Sequence, residues 1–151
     1  MNKQMSLSFI HDELKEVKTH KREFLEKMDA ILPWEQLYEL VKPCYYEGAR
    51  GNKPYDLELM LRIHLIQNLY DLSDEGTRNE IIDSRAFSDF CEVESSNQIP
   101  DGDTIGRFRN LLIQNHIHEQ FFAVVLKTLT DRGLILKKGT IVDSTIISAP
   151  S

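Results

Sequence analysis

The 151-residue sequence predicts a mainly α-helical domain over residues 1–133, followed by the opening of a β-containing unit over 134–151. Three observations carry that reading. Apolar residues recur at the spacing of one helix face through the first two-thirds of the chain. Gly133 closes the last of these patterns, at the position just past a helix C-terminus where glycine is favoured. Beyond it the period changes. The stretch "LILKKGTIVDSTIIS" is rich in Ile, Val and Thr, as expected of a short strand, a Lys-Lys-Gly turn and a longer strand.

Leu14, Val17, Leu25 and Met28, joined by Phe24 and Ile31, predict an amphipathic helix from about Phe9 to Ala30. Its polar run "KEVKTHKR" is either a solvated face balanced by its own carboxylates or a surface that touches phosphate. Pro33 suits the start of a second helix, with Trp34, Leu37, Tyr38 and Val41 on one face, and Pro43 is expected to stop it. "EGARGNKPYD" is a loop by composition. Asp56 can cap the next helix, "LELMLRIHLIQNLYDL", which is apolar nearly all round and belongs at the centre of a bundle. His64 within it reads as a hydrogen-bonded core residue rather than a ligand.

Ser73 is a good N-cap for a helix opening on Asp74 and Glu75 and running through Ile81 and Ile82. A helical piece from Arg85 to Phe90 leads into the acidic loop "EVESSNQIPDGD". Asp103 or Thr104 is then expected to cap "TIGRFRNLLIQNH", which turns Ile105, Phe108, Leu111 and Leu112 inward and leaves Arg107 and Arg109 off that face. The last long helix runs from about Ile117 to Arg132. His116 and His118 precede or open it and read as surface histidines, since residues two apart do not share a helix face.

The formal net charge of −6 argues against a protein that is basic over its whole surface. The charge is unevenly placed: residues 74–103 are net −7, whereas residues 104–151 are net +3. If the chain has a DNA-contacting surface, it should involve the last segment, joined by basic residues of the first; the candidates are Thr104, Arg107, Arg109, Lys137 and Lys138. No apolar run is long enough for a membrane span, and the N-terminus has no apolar signal core, which makes a cytoplasmic protein the expectation. Cys44 and Cys91 lack Cys-x-x-Cys spacing and read as reduced, at least partly buried residues.

Two features could carry chemistry. A short helix, a loop and a capped helix bearing Arg107 and Arg109 resemble a helix-turn-helix in outline, although the loop is long for that motif. The alternative is an arginine pair on a solvated face. The other feature is Asp143, a carboxylate in the middle of an otherwise ordinary strand. It is either a solvated or Lys137- or Lys138-paired edge residue, or a ligand for a hard cation such as Mg²⁺.

The stretches "PWEQLYELVKPCYY", "PYDLELMLRIHLIQNLYDLSDE", "IPDGDTIGRFRNLL" and above all "DRGLILKKGTIVDSTIISAPS" resemble the N-terminal part of bacterial insertion-sequence transposases of the DDE type, in the insertion-sequence-five group. The resemblance runs from about Phe24 to Ser151. It implies a helical, helix-turn-helix-like DNA-binding domain over 1–133 and, over 134–151, the first strands of a ribonuclease-H-like α/β catalytic domain. Asp143 then stands where the family has the first Asp of its Asp-Asp-Glu triad and would be both catalytic and metal-ligating, with Mg²⁺ as cofactor. The implied partner is double-stranded DNA at the element's terminal repeats, in a bacterial, nucleoid-associated setting.

The sequence departs from the family in two places. Gly102 and Asp103 follow Ile-Pro-Asp where the family has Glu-Thr-Thr, and "EGARGNKPYD" replaces a tighter Arg-Pro-rich segment. The second Asp and the Glu would lie beyond Ser151. The expectation is thus a truncated transposase that binds DNA without cutting it. The rival reading is an interaction module that associates with itself or with full-length transposase and inhibits it.

Overall fold

The computed structural model describes residues 18–47 and 55–135. These form seven α-helices: α1 (His20–Ile31), α2 (Trp34–Glu47), α3 (Leu57–Leu69), α4 (Asp74–Asp83), α5 (Arg85–Cys91), α6 (Gly102–Gln114) and α7 (His118–Asp131). One turn of 3₁₀-helix, Ser96–Gln98, precedes α6. No strand is among the elements of the described residues. The expected hairpin lies outside them apart from Leu134 and Ile135, which pack into the helical core.

The first helix of the described residues starts at His20. Thr19 is extended (ψ 164°), and its hydroxyl accepts the Arg22 N–H at 3.2 Å. The Thr19 cap starts α1 there, and the helix buries Phe24, Leu25 and Met28; the part of the expected helix over residues 9–17 lies outside the described residues.

Helix α2 departs more sharply from expectation, because Pro43 lies inside it rather than ending it. An interior proline deletes one backbone hydrogen bond and crowds the preceding turn, costing about 3 kcal/mol. Tertiary contacts on both sides of Pro43 offset that cost. Leu37 and Val41 are fully buried ahead of it. Behind it, the Tyr45 ring meets Phe108 edge-on at 5.6 Å between centroids, and its hydroxyl donates to the Tyr55 carbonyl. Local preference loses to packing here.

Helix α3 is the centre of the bundle. Leu57, Met60, Leu61, Ile63, Leu65 and Ile66 are buried, and α2, α4, α5 and α6 all pack against it. Asp56 occupies its N-cap position without a side-chain capping bond. The Arg62 guanidinium lies over Trp34 (4.3 Å) and Phe90 (5.0 Å), and donates to the Phe90 carbonyl and to Asp29 Oδ1, each at 3.0 Å. One side chain thereby ties α1, α2 and α5 to α3. Cys91 is buried, and burial pushes its thiol up to about 12, so it stays protonated and unreactive. Cys44 is half-buried and not in a disulfide.

The remaining termini follow ordinary capping chemistry. Ser73 accepts the Gly76 N–H at 2.9 Å, and Ser84 accepts the Phe87 N–H at 3.2 Å. The cap of α6 is Asp101, whose Oδ1 accepts the Thr104 N–H at 2.8 Å. That corrects the expectation of Asp103 or Thr104: both lie inside the first turn, because Gly102 is already helical. Helix α7 ends in a Schellman motif. Gly133 takes φ +75°, its N–H reaches Thr130 O at 3.0 Å, and the Leu134 N–H reaches Leu129 O at 2.8 Å.

Because Pro43 is exposed, Pro43→Ala restores a helix hydrogen bond without emptying the core. The variant should be more stable by about 1–3 kcal/mol, part of the gain being lost to a more flexible unfolded chain. Urea unfolding measures this; an unchanged or lower midpoint would mean that the proline's bend is what seats Tyr45 on Phe108.

Candidate nucleic-acid interface

Helix α6 is held on its inner side by apolar and polar contacts together. Ile105, Phe108 and Leu112 enter the core. Beside them α6 approaches the first turn of α4 so closely that two glycines mark the contact. A Cβ on Gly102 would collide with Glu75 Oε1, and one on Gly106 would lie 2.7 Å from Asp74 Oδ2. Asp74 anchors this contact. Its Oδ1 accepts from Gln67 Nε2 at 2.7 Å and is paired with the Arg109 guanidinium. Gln67 is buried on α3, so the chain Gln67–Asp74–Arg109 joins the central helix, α4 and α6.

The two arginines expected to touch DNA are therefore not equivalent. Arg109 is half-buried and committed to Asp74. Arg107 is exposed, with Nη2 donating to Thr104 Oγ1 at 3.2 Å. Asp101 nearby has its carboxyl held below the usual range, first by the Thr104 N–H and hydroxyl and then by the Arg107 and Arg78 charges. Between Cys91 and Gly102 the chain runs through the 3₁₀ turn and buries Val93 and Ile99. Lys137, Lys138 and Asp143 lie outside the described residues. Among the described residues no three His, Cys, Asp or Glu side chains form a group able to hold a metal, so the Mg²⁺ expectation rests on Asp143 alone.

A family model described as a transposase domain (DUF772) matches residues 12–111, a span that ends inside α6. The chain belongs to that family. No solved structure matches it. Among its described residues, no helix of this transposase domain is long and apolar enough to cross a membrane.

Sequence reasoning missed two parts of the site. One is the Gln67–Asp74 link, signalled only by an amide within an apolar helix. The other is His118, which is half-buried and not fully exposed. Its Nδ1 lies 3.1 Å from Nε2 of the buried His64, among Phe108, Phe121 and Phe122. The tautomers follow from Asn68. Its Nδ2 donates to the His64 carbonyl at 2.8 Å, which sets the amide's orientation, and the same nitrogen is 3.3 Å from His64 Nδ1. His64 Nδ1 accepts, so His64 carries its proton on Nε2 and donates it to His118 Nδ1. Desolvation, the neighbouring His118 and Arg109 lower His64 to about 3. Desolvation also lowers His118, aided by Arg109 and opposed by Glu119.

Two outcomes follow for the transposase domain. Gly106→Ala should cost about 1–2 kcal/mol, because the Asp74 carboxylate it meets is fixed by two partners. Gly102→Ala meets only the end of the exposed Glu75 side chain and should change stability by less than about 0.5 kcal/mol. Chemical denaturation of the pair checks this, and equal losses would contradict the assignment of Asp74 as the rigid element. The histidine pair sets a pH response. Unfolded histidines take up protons below about 6.5 whereas the folded pair resists doing so, so stability held above that pH falls as pH drops toward the folded value. The unfolding midpoint should decline between about pH 7 and pH 5, and His64→Leu should flatten the decline. A wild-type profile no steeper than the variant's would refute it.

Proposed function

We propose that the chain is the DNA-binding portion of a DDE-type transposase of the insertion-sequence-five group, holding the terminal inverted repeats of its element. The observation that supports this best is the setting of α6, a capped helix clamped on its inner side by Asp74 and Arg109, with Thr104 and Arg107 on the outer side of the same helix. Membership of a transposase-domain family supports the same reading. Lys137 and Lys138 would add phosphate contacts. Asp143 would act as the first carboxylate of an Asp-Asp-Glu site and help to hold Mg²⁺, which supplies Lewis-acid stabilisation when bound. A single carboxylate does not complete a two-metal site, so strand cleavage needs two further acidic ligands.

A second reading, a fragment that associates with full-length transposase and inhibits it, is favoured by the net charge of −6 and by the exposure of Ile113 (49%) and Leu126 (38%). DNA binding separates the two. Contact with about four to six phosphates gives a log–log salt slope of roughly −4 to −5. Binding to an element-end duplex should weaken with that slope in fluorescence anisotropy. No binding at low salt, together with co-purification with the intact enzyme, would select the second reading.

A further inference from the structure

Helix α6 carries more than an exposed arginine. Successive helical residues turn by about 100°, which places Arg107, Asn110 and Gln114 within about 60° of one another around the axis. All three are exposed, on the side opposite Ile105, Phe108 and Leu112. We infer that this stripe reads base edges in the major groove of duplex DNA, and that Asp74 and Arg109 position the stripe without touching the DNA. The inference rests on the DNA-binding reading above.

The chemistry of the three side chains is the first argument. Arginine pairs bidentately with guanine O6 and N7, and asparagine or glutamine with adenine N6 and N7. A solvated helix face has no need of three such planar groups in one line; Lys and Glu would serve. Length is the second argument. At about 1.5 Å per residue, Arg107 to Gln114 covers roughly 10 Å, the rise of about three base-pair steps. Ile113 is exposed beside the stripe and offers an apolar contact for a thymine methyl.

Electrostatics supplies the third argument. Two of the carboxylates near α6 are engaged within the fold, whereas Glu75 and Asp103 are exposed. Asp74 is paired with Arg109, and Asp101 accepts the Thr104 N–H. Asp103 continues the stripe one turn earlier, where a carboxylate suits a cytosine amino group. Rigidity is the fourth. The Asp101 cap, the glycine contact with α4 and the Gln67–Asp74–Arg109 chain all hold α6 from behind, as a reading helix requires.

The test uses the full chain and a pool of random-sequence duplexes, followed by anisotropy titrations on the selected sequence and on random DNA. Wild type should enrich a short motif. Arg107→Ala, Asn110→Ala and Gln114→Ala should each relax the preference at one or two adjacent positions, with about 5- to 100-fold weaker binding to the selected sequence. Asn110→Ala and Gln114→Ala should bind random DNA within about twofold of wild type, since they remove no charge. Circular dichroism melts show whether each variant is folded.

The double variant Asp74→Asn with Arg109→Gln neutralises the internal pair. Its salt slope should equal that of wild type, whereas loss of a phosphate contact would flatten the slope by about one. Three folded stripe variants that retain the wild-type motif would overturn the inference and leave DNA binding standing. A flattened slope in the double variant would overturn the positioning role of Arg109. A wild-type chain that binds no duplex at low salt would overturn the DNA-binding reading itself.

Discussion

A helix buried on nearly every side needs partners for its polar groups, and the architecture follows from how far α3 finds them. The Gln67 amide N–H is bonded, whereas its Oε1 is buried without a hydrogen-bond partner among the described residues. Arg62, His64 and Gln67 sit within two turns of each other, and each reaches a different set of neighbours. Arg62 binds Asp29 and the Phe90 carbonyl, His64 donates to His118, and Gln67 donates to Asp74. An unsatisfied buried polar group costs about 1–3 kcal/mol, so these bonds matter less as attraction than as conditions on packing. Apolar contacts alone would let α1, α4, α5 and α7 slide or rotate on α3. The polar bonds set one register for each.

The candidate interface is an extension of the same network. Asp74 joins Gln67 to Arg109, so the orientation of α6 is referred back to the central helix through one carboxylate. The glycines at 102 and 106 let α4 and α6 come close enough for that carboxylate to serve both. The departure of this sequence from the Glu-Thr-Thr run of similar transposases falls at this contact. Gly102 there is buried beneath Glu75, and the cap of α6 is supplied by Asp101.

Much of the helical unit was legible in the sequence because it is written in local signals. The Ser73 cap, the Arg85–Cys91 piece, the all-round apolar character of α3 and the Gly133 stop are each stated by residues within a turn of the feature. The errors came where tertiary contacts outweighed local preference. Pro43 reads as a stop, but buried Leu37 and Val41 before it and the contact of half-buried Tyr45 with Phe108 after it carry the helix through. His118 reads as a surface residue because nothing near it in sequence reveals His64, which lies on another helix. For the site, exposure of Arg107 was legible from periodicity. The commitment of Arg109 to Asp74 was not, since the two lie 35 residues apart.

The Schellman turn at Gly133 bears on mechanics. Directly after it, Leu134 is half-buried and Ile135 is 3% exposed, both packed against the bundle. The polypeptide therefore leaves the helical unit from a seated anchor and not from a loose helix end. A pull or torque applied from the C-terminal side would be delivered to the Leu129 turn of α7 and into the core, with little slack to absorb it. A joint seated in this way acts as a stiff lever and not as a swivel.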